Sequence, residues 1–154
     1  MLSEKEKQLL KELQAAHIDF MIVGLSAAVL QYAPVVTQDV DLWLRNVDDP
    51  KISECCKRVG GIFLPLNLNF QMPARFAGES FENLDIVIGL SGIGSFDQEY
   101  KEAIDIQIAE DLVVKVLPLE KIIASKEAAG REKDKIVMPA LKSASIRLLR
   151  NLTA

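Results

Sequence analysis

Thr37-Gln38-Asp39-Val40-Asp41-Leu42-Trp43-Leu44 sets two carboxylates two residues apart in a stretch that otherwise reads as a buried strand. A strand sends side chains i and i+2 to the same face. Asp39 and Asp41 therefore share one face, and Val40, Leu42 and Leu44 share the other. Adjacent anions at the edge of an apolar sheet repel each other and resist burial unless something positive neutralises them. A hard divalent cation held by one or two carboxylates plus substrate phosphates answers that need. An acidic turn before a strand, with both carboxylates in solvent, is the other reading of the same residues.

Short strand and helix signals surround this stretch. Phe20-Met21-Ile22-Val23 is an apolar run ending at Gly24, which predicts a buried strand and a tight turn. Residues 26–32 predict a short helix stopped before Pro34. Residues 40–44 are the second strand, and 51–59 a helix closed by Gly60-Gly61. Ser3 and Glu6 have the spacing of a capping box, so residues 3–16 predict a helix with Leu9, Leu10 and Leu13 on its apolar face. His17, the single histidine, falls at the end of that helix, where a cap or surface role suits it. Residues 62–83 contain Pro65, Pro73, Gly78 and several Asn; they predict irregular structure with one or two short strands.

Leu84-Asp85-Ile86-Val87-Ile88 is a further strand with one embedded charge. A Gly/Ser loop (89–95) and a short helix (96–102) follow. Residues 104–108 and 112–117 alternate as strands across Ala109-Glu110-Asp111, a hairpin signal. Pro118 opens a helix through Ala129; residues 138–149, beginning near Pro139, predict the last helix. Mixed strands and helices with a hairpin imply a single α+β domain over residues 1–154, with a small mixed β-sheet flanked by helices.

Composition bounds the function. At 154 residues, 49% hydrophobic and 26% charged, the chain matches an ordinary globular domain. A net charge of −4 and the lack of a basic tail argue against a nucleic-acid binder held by bulk electrostatics. Cys55 and Cys56 are neighbours that diverge around a helix, so they read as idle thiols, and a cytoplasmic setting fits them. No apolar run reaches membrane-spanning length, so no membrane partner is expected. One histidine and two adjacent cysteines supply neither a Ser/His/Asp set nor a zinc site.

Three features converge on phosphoryl chemistry. Gly24-Leu25-Ser26 joins a strand to a helix, where free backbone N–H groups favour an anion and Gly permits its close approach. Asp39 and Asp41 form the second feature, and Asp85 the third. Three carboxylates on neighbouring strands beside such a turn fit a two-metal site for phosphoryl or nucleotidyl transfer. Each feature also has a plainer reading: a β–α turn capped by Ser26, or strand-edge Asp in water.

The pattern Val23-Gly24-Leu25-Ser26-Ala27, then Thr37-Gln38-Asp39-Val40-Asp41-Leu42, then Asn83-Leu84-Asp85-Ile86-Val87-Ile88, resembles the nucleotidyltransferase superfamily that includes DNA polymerase beta. Residues 116–134, which contain Lys126, Arg131, Lys133 and Asp134, extend the resemblance toward the small bacterial nucleotidyltransferases of toxin–antitoxin and abortive-infection systems. The resemblance covers residues 18–142. It implies a nucleotidyltransferase-like fold and transfer of an NMP from an NTP, with ATP the commonest donor, to a hydroxyl of a protein, RNA or small molecule.

It further implies that Gly24 and Ser26 hold the triphosphate, and that Asp39, Asp41 and Asp85 are the catalytic residues and bind Mg2+ as a metal pair. Lys126, Arg131 and Lys133 would face the phosphates or the acceptor. Lys126 and Lys133 are seven residues apart and share a face if one helix runs through Gly130. Alternatively, this basic run is a solvated face paired with Glu127, Glu132 and Asp134. Leu25 stands where relatives often carry Gly or Ser, and residues 33–36 lack an Arg that many relatives place before the Thr. These departures leave room for an inactive, antitoxin-like binding protein on the same fold.

Overall fold

A computed structural model describes residues 2–153. Helix α1 (Glu4–Ala15) starts where the Ser3 hydroxyl accepts the Glu6 N–H (3.1 Å) and the Glu6 carboxylate accepts the Ser3 N–H (2.7 Å). This is the predicted capping box. Glu6 is fully buried, and it also accepts the Asn83 N–H at 2.9 Å. The Asn83 carbonyl in turn accepts the Val40 N–H at 2.7 Å. A helix cap near the N-terminus thus fixes the starts of the two strands that carry the acidic residues. Leu9, Leu10 and Leu13 bury the other side of α1 in the core.

The remaining elements are β1 (Phe20–Val23), α2 (Gly24–Leu30), β2 (Val40–Leu44), α3 (Lys51–Arg58), β3 (Ile62–Leu64), β4 (Arg75–Ala77), β5 (Leu84–Val87), α4 (Phe96–Glu102), β6 (Ile104–Ala109), β7 (Leu112–Val116), α5 (Leu119–Ala129) and α6 (Glu132–Thr153). Among the described residues, five strands form one mixed sheet in the order β5-β2-β1-β7-β6. β1 is central and wholly buried; it pairs antiparallel with β2 and parallel with β7. β5 adds parallel to β2, and β6 closes the far edge as the predicted hairpin with β7. The predicted α+β class is the observed one. Residues 62–83 contain a small ribbon, β3 against β4, separate from the main sheet.

Gln31 fastens the middle of the fold. Its buried amide donates to the carbonyls of Ala27 (3.0 Å) and Leu117 (2.9 Å) and accepts the Leu119 N–H (2.9 Å). The end of α2 is thereby tied to the β7–α5 junction. Trp43 meets Phe96 edge-on at 5.5 Å, which seats α4 on the sheet.

The last helix differs from expectation. It begins at Glu132, not near Pro139, and Pro139 lies inside it. Two local features set the start. Gly130 closes α5 in the left-handed conformation (φ 60°), and the Asp134 carboxylate accepts the Arg131 N–H at 3.2 Å, the acidic half of a cap. Pro139 removes a bond to the carbonyl of Lys135, but both residues are exposed, so water can replace the lost partner. Consequently one helix does not run through Gly130, and the expectation that Lys126 and Lys133 share a face of it is corrected. They stand on two helices, α5 and α6.

Candidate active site

The β1–α2 turn is built around Gly24. Its φ is 66°, a region that favours glycine, and a Cβ at this position would collide with the Asp41 carboxylate. Glycine here lets Asp41 lie directly against the turn. Ser26 is buried; its hydroxyl donates to the Val23 carbonyl (2.8 Å) and accepts the Asp41 N–H (3.1 Å). Ser26 clamps the turn to β2, and both of its bonds are to backbone. It is absent from the residues lining the adjacent cleft.

Asp41 and Asp85 are register partners in the parallel β2–β5 pair. Parallel neighbours in register project to the same face about 4.8 Å apart at the backbone. Asp39 precedes β2 by one residue and is exposed. Burial raises the Asp41 carboxyl above its ordinary range, and the charges of Asp85 and Asp39 raise it further, while Lys126 and Lys133 pull it down. Asp85 is raised by desolvation and then by Asp39. The three carboxylates therefore feel one another as like charges.

The cations face them from α5 and α6. Lys126 donates to Asp134 (3.2 Å), and Arg131 holds the same carboxylate in a fork, Nε at 2.7 Å and Nη2 at 3.1 Å. Asp134 is only 1% exposed. Arg131 first, and Lys126 with it, hold its carboxyl down at about 2. Lys133 is exposed, with no carboxylate at ion-pair distance among the described residues. Glu132 pairs with Lys135 and Glu127 with Lys142, so neither acid pairs with Lys126, Arg131 or Lys133; of the three expected acids only Asp134 pairs with that basic run, and it does so buried, not on a solvated face.

All of these groups except Ser26 line one cleft of about 710 Å³: Gly24, Asp39, Asp41, Asp85, Lys126, Arg131, Lys133 and Asp134. Sequence reasoning placed Asp134 only among surface partners. Its signal was an acid three residues into a helix that follows Gly-Arg. Reasoning from sequence also passed over Thr37, Ser125 and the Gly89-Leu90-Ser91 wall, which line the same cleft.

The donor set bears on a metal. Among the described residues, no three acidic, histidine or cysteine side chains stand close enough to cage an ion unaided. The carboxylates are hard oxygen donors, mutually repelling and open to a cleft. This suits Mg2+, which binds through one or two carboxylates and completes its shell with water and phosphate. It does not suit a closed cage made by protein alone.

No family model matches the sequence, and no curated protein does. Among solved structures the chain is similar to the crystal structure of ANT(2'')-Ia in complex with adenylyl-2''-tobramycin. Identity is 11%, coverage is 88% of this chain and 94% of that one, and the TM-score is 0.48. It is also similar to the solution structure of the antibiotic-resistance factor ANT(2'')-Ia, at 15% identity, 95% and 94% coverage, and a TM-score of 0.47. A likeness of this degree carries no argument; the site's own geometry does.

Proposed function

We propose that this protein is a Mg2+-dependent nucleotidyltransferase that moves an NMP from an NTP to a hydroxyl. The observation that carries the reading is the β2–β5 register. It sets Asp41 beside Asp85, against the Gly24 turn and across one cleft from Lys126 and Lys133. Such a carboxylate pair, with no bonded cation among the described residues, is costly in a fold that has no use for it.

Transfer is an in-line displacement at the α-phosphorus. The acceptor oxygen forms a bond there, the bond to the bridging oxygen breaks, and pyrophosphate leaves. Gly24 leaves room for the Asp41 carboxylate against the turn, and Ser26 fixes Asp41 relative to that turn. Asp85, on the edge strand and open to the cleft, takes the proton of the attacking hydroxyl; its raised basicity favours that transfer. Lys126, Arg131 and Lys133 offset charge on the triphosphate and pyrophosphate. Asp41 and Asp85, with Asp39 beside them, would hold Mg2+ two carboxylates at a time, and the metal would neutralise phosphate charge when bound. ATP is the first donor to try. The acceptor is a hydroxyl of a protein, an RNA end or a small molecule, and a toxin–antitoxin setting is the finer form of the proposal.

One observation favours a second reading, an antitoxin-like protein that binds nucleotide without transfer. The Ser26 hydroxyl and the Arg131 guanidinium already have protein partners. Incubation with each α-labelled NTP, Mg2+ and a cell lysate separates the two. Transfer of label to protein, RNA or a small molecule supports the enzyme. Nucleotide binding without transfer or pyrophosphate release supports the second reading, and loss of both removes the family of proposals.

A further inference from the structure

Ser125 is the buried hydroxyl of the cleft, among the described residues, that the transfer chemistry leaves unused. It sits on α5 one residue before Lys126, is 8% exposed, and lines the cleft. Its hydroxyl has no hydrogen-bond partner among the described residues. The hydroxyl oxygen is not sealed from solvent; it opens on the cleft and is free to bond a ligand there. A serine within a helix also commonly bonds back to the carbonyl four residues earlier, and this one does not.

Its neighbours in the cleft are aliphatic. Ile122, Ser125 and Ala129 follow one another at three- and four-residue spacing, so α5 presents them on one side. Leu25, Leu117 and Val137 also line the cleft, from the β1–α2 turn, the end of β7 and α6. Leu117 and Ile122 are fully buried and back the wall, while Leu25, Ala129 and Val137 keep part of their surface open. Aliphatic walls offer nothing to a triphosphate. They suit the face of a flat heteroaromatic ring, with one hydroxyl at its edge. Ser125 and Lys126 line the same cleft from α5, so a nucleotide whose phosphates reach Lys126 has its nucleoside portion within reach of Ser125.

We infer that the aliphatic slot of Leu25, Ala129 and Val137 seats the nucleobase of the donor, and that the Ser125 hydroxyl is its hydrogen-bond partner. This rests on the nucleotidyltransferase reading and adds which part of the substrate lies where. It carries a consequence for specificity. A hydroxyl both donates and accepts, so Ser125 satisfies an amino edge and a keto edge alike. The slot then selects for a base without strongly choosing among bases, and the four Mg-NTPs bind within about tenfold of one another.

Titration calorimetry of the full chain with each Mg-NTP, and separately with Mg-tripolyphosphate, tests this without relying on turnover. Ser125→Ala is expected to weaken NTP binding about three- to tenfold and to leave tripolyphosphate binding unchanged. Ser125→Leu fills the slot and is expected to weaken NTP binding about a hundredfold, again with tripolyphosphate binding retained; that retention also shows the variant is folded. NTP binding unchanged in Ser125→Ala overturns the inference while the wild type's NTP binding keeps the wider reading intact. Equal loss of NTP and tripolyphosphate in Ser125→Ala also overturns it, because the hydroxyl then serves the phosphates. A wild type that binds neither probe removes the nucleotidyltransferase reading and this inference together.

Discussion

Asp41 and Asp134 line the same cleft from β2 and α6, and their surroundings are opposite in kind. Asp134 is sealed from water and receives four donated hydrogen bonds, three from Arg131 and one from Lys126. Asp41 has other carboxylates for neighbours and cations only at a distance. The fold commits two cations to one carboxylate and leaves the other set exposed to its own repulsion. A charge compensated from within is doing architectural service: here it holds α5 to the start of α6. A charge left uncompensated is available for a ligand. On this contrast, removing Asp41 should damage chemistry and spare stability, and removing Asp134 should do the reverse.

The largest effect expected is on transfer by Asp41→Asn. Losing one ion-binding carboxylate in a charge-stabilised displacement should lower turnover by about a thousandfold or more. Melting temperature should hold or rise, because the substitution removes a charge that burial and Asp85 disfavour. Calorimetry and single-turnover rates check both halves. A large fall in melting temperature would make Asp41 a structural residue like Asp134 and dissolve the contrast.

Next in size is Asp134→Asn, which leaves Lys126 mostly buried without its counter-charge. Breaking fully buried pairs costs about 3–5 kcal/mol. Arg131 is more than half exposed, so about 3 kcal/mol is the expectation here, or about 6–12 °C in melting temperature for a chain of this size. The pH dependence carries the sign. Asp134 is held at about 2 against an ordinary 3.8, so its stabilisation is complete above 3.8 and is lost as pH falls toward 2. Asp41 is raised, so its folded form binds more protons just above 3.8, and stability there falls as pH rises. Acid unfolding of the two variants should therefore lose slopes of opposite sign.

The sheet was legible because its strands are short apolar runs with one punctuating residue each. Gly24 ended β1, and the alternation of 104–108 and 112–117 announced the hairpin. The start of α6 was not legible, because Pro139 looked like a helix opener. The true opener is a side chain, Asp134, whose capping role depends on the left-handed Gly130 before it. That Asp41 and Asp85 lie in strands was readable from the apolar runs around them, but their parallel register needs the sheet order, and Asp39 stands just outside β2 instead of sharing the strand with Asp41. The burial of Asp134 was not, because it requires knowing that α5 and α6 pack against each other at Lys126. Ser26 shows the same limit: a Gly-x-Ser turn suggests a hydroxyl for phosphate, and only the three-dimensional pairing shows that hydroxyl bonded to the Val23 carbonyl and the Asp41 N–H.

A ligand should sharpen the contrast from the other side. Mg2+ with a saturating NTP should stabilise the fold by about 2.7 kcal/mol at a hundredfold excess over Kd, and so raise the melting temperature, since it binds the native state alone. EDTA should abolish the increase. Asp41→Asn should not show it, whereas Asp134→Asn should, starting from a lower baseline. Identical melting curves with Mg2+ and with EDTA would leave the acidic edge without a ligand to explain it.

The smallest effect belongs to Lys133, the cleft cation with no ion-pair partner among the described residues. It touches neither carboxylate directly and acts on Asp41 through space. Lys133→Met should leave stability within about 0.5 kcal/mol and weaken NTP binding about threefold to tenfold at low salt. The difference from wild type should shrink as ionic strength rises, because solvent-exposed charges are screened over about 8–10 Å at 0.1–0.15 M salt. Lys126→Met, by contrast, removes one of the two cations that hold buried Asp134 and should cost stability as well as affinity. Equal penalties in both variants, insensitive to salt, would mean that Lys133 is anchored as firmly as Lys126 and that the cleft has no cation held free for its ligand.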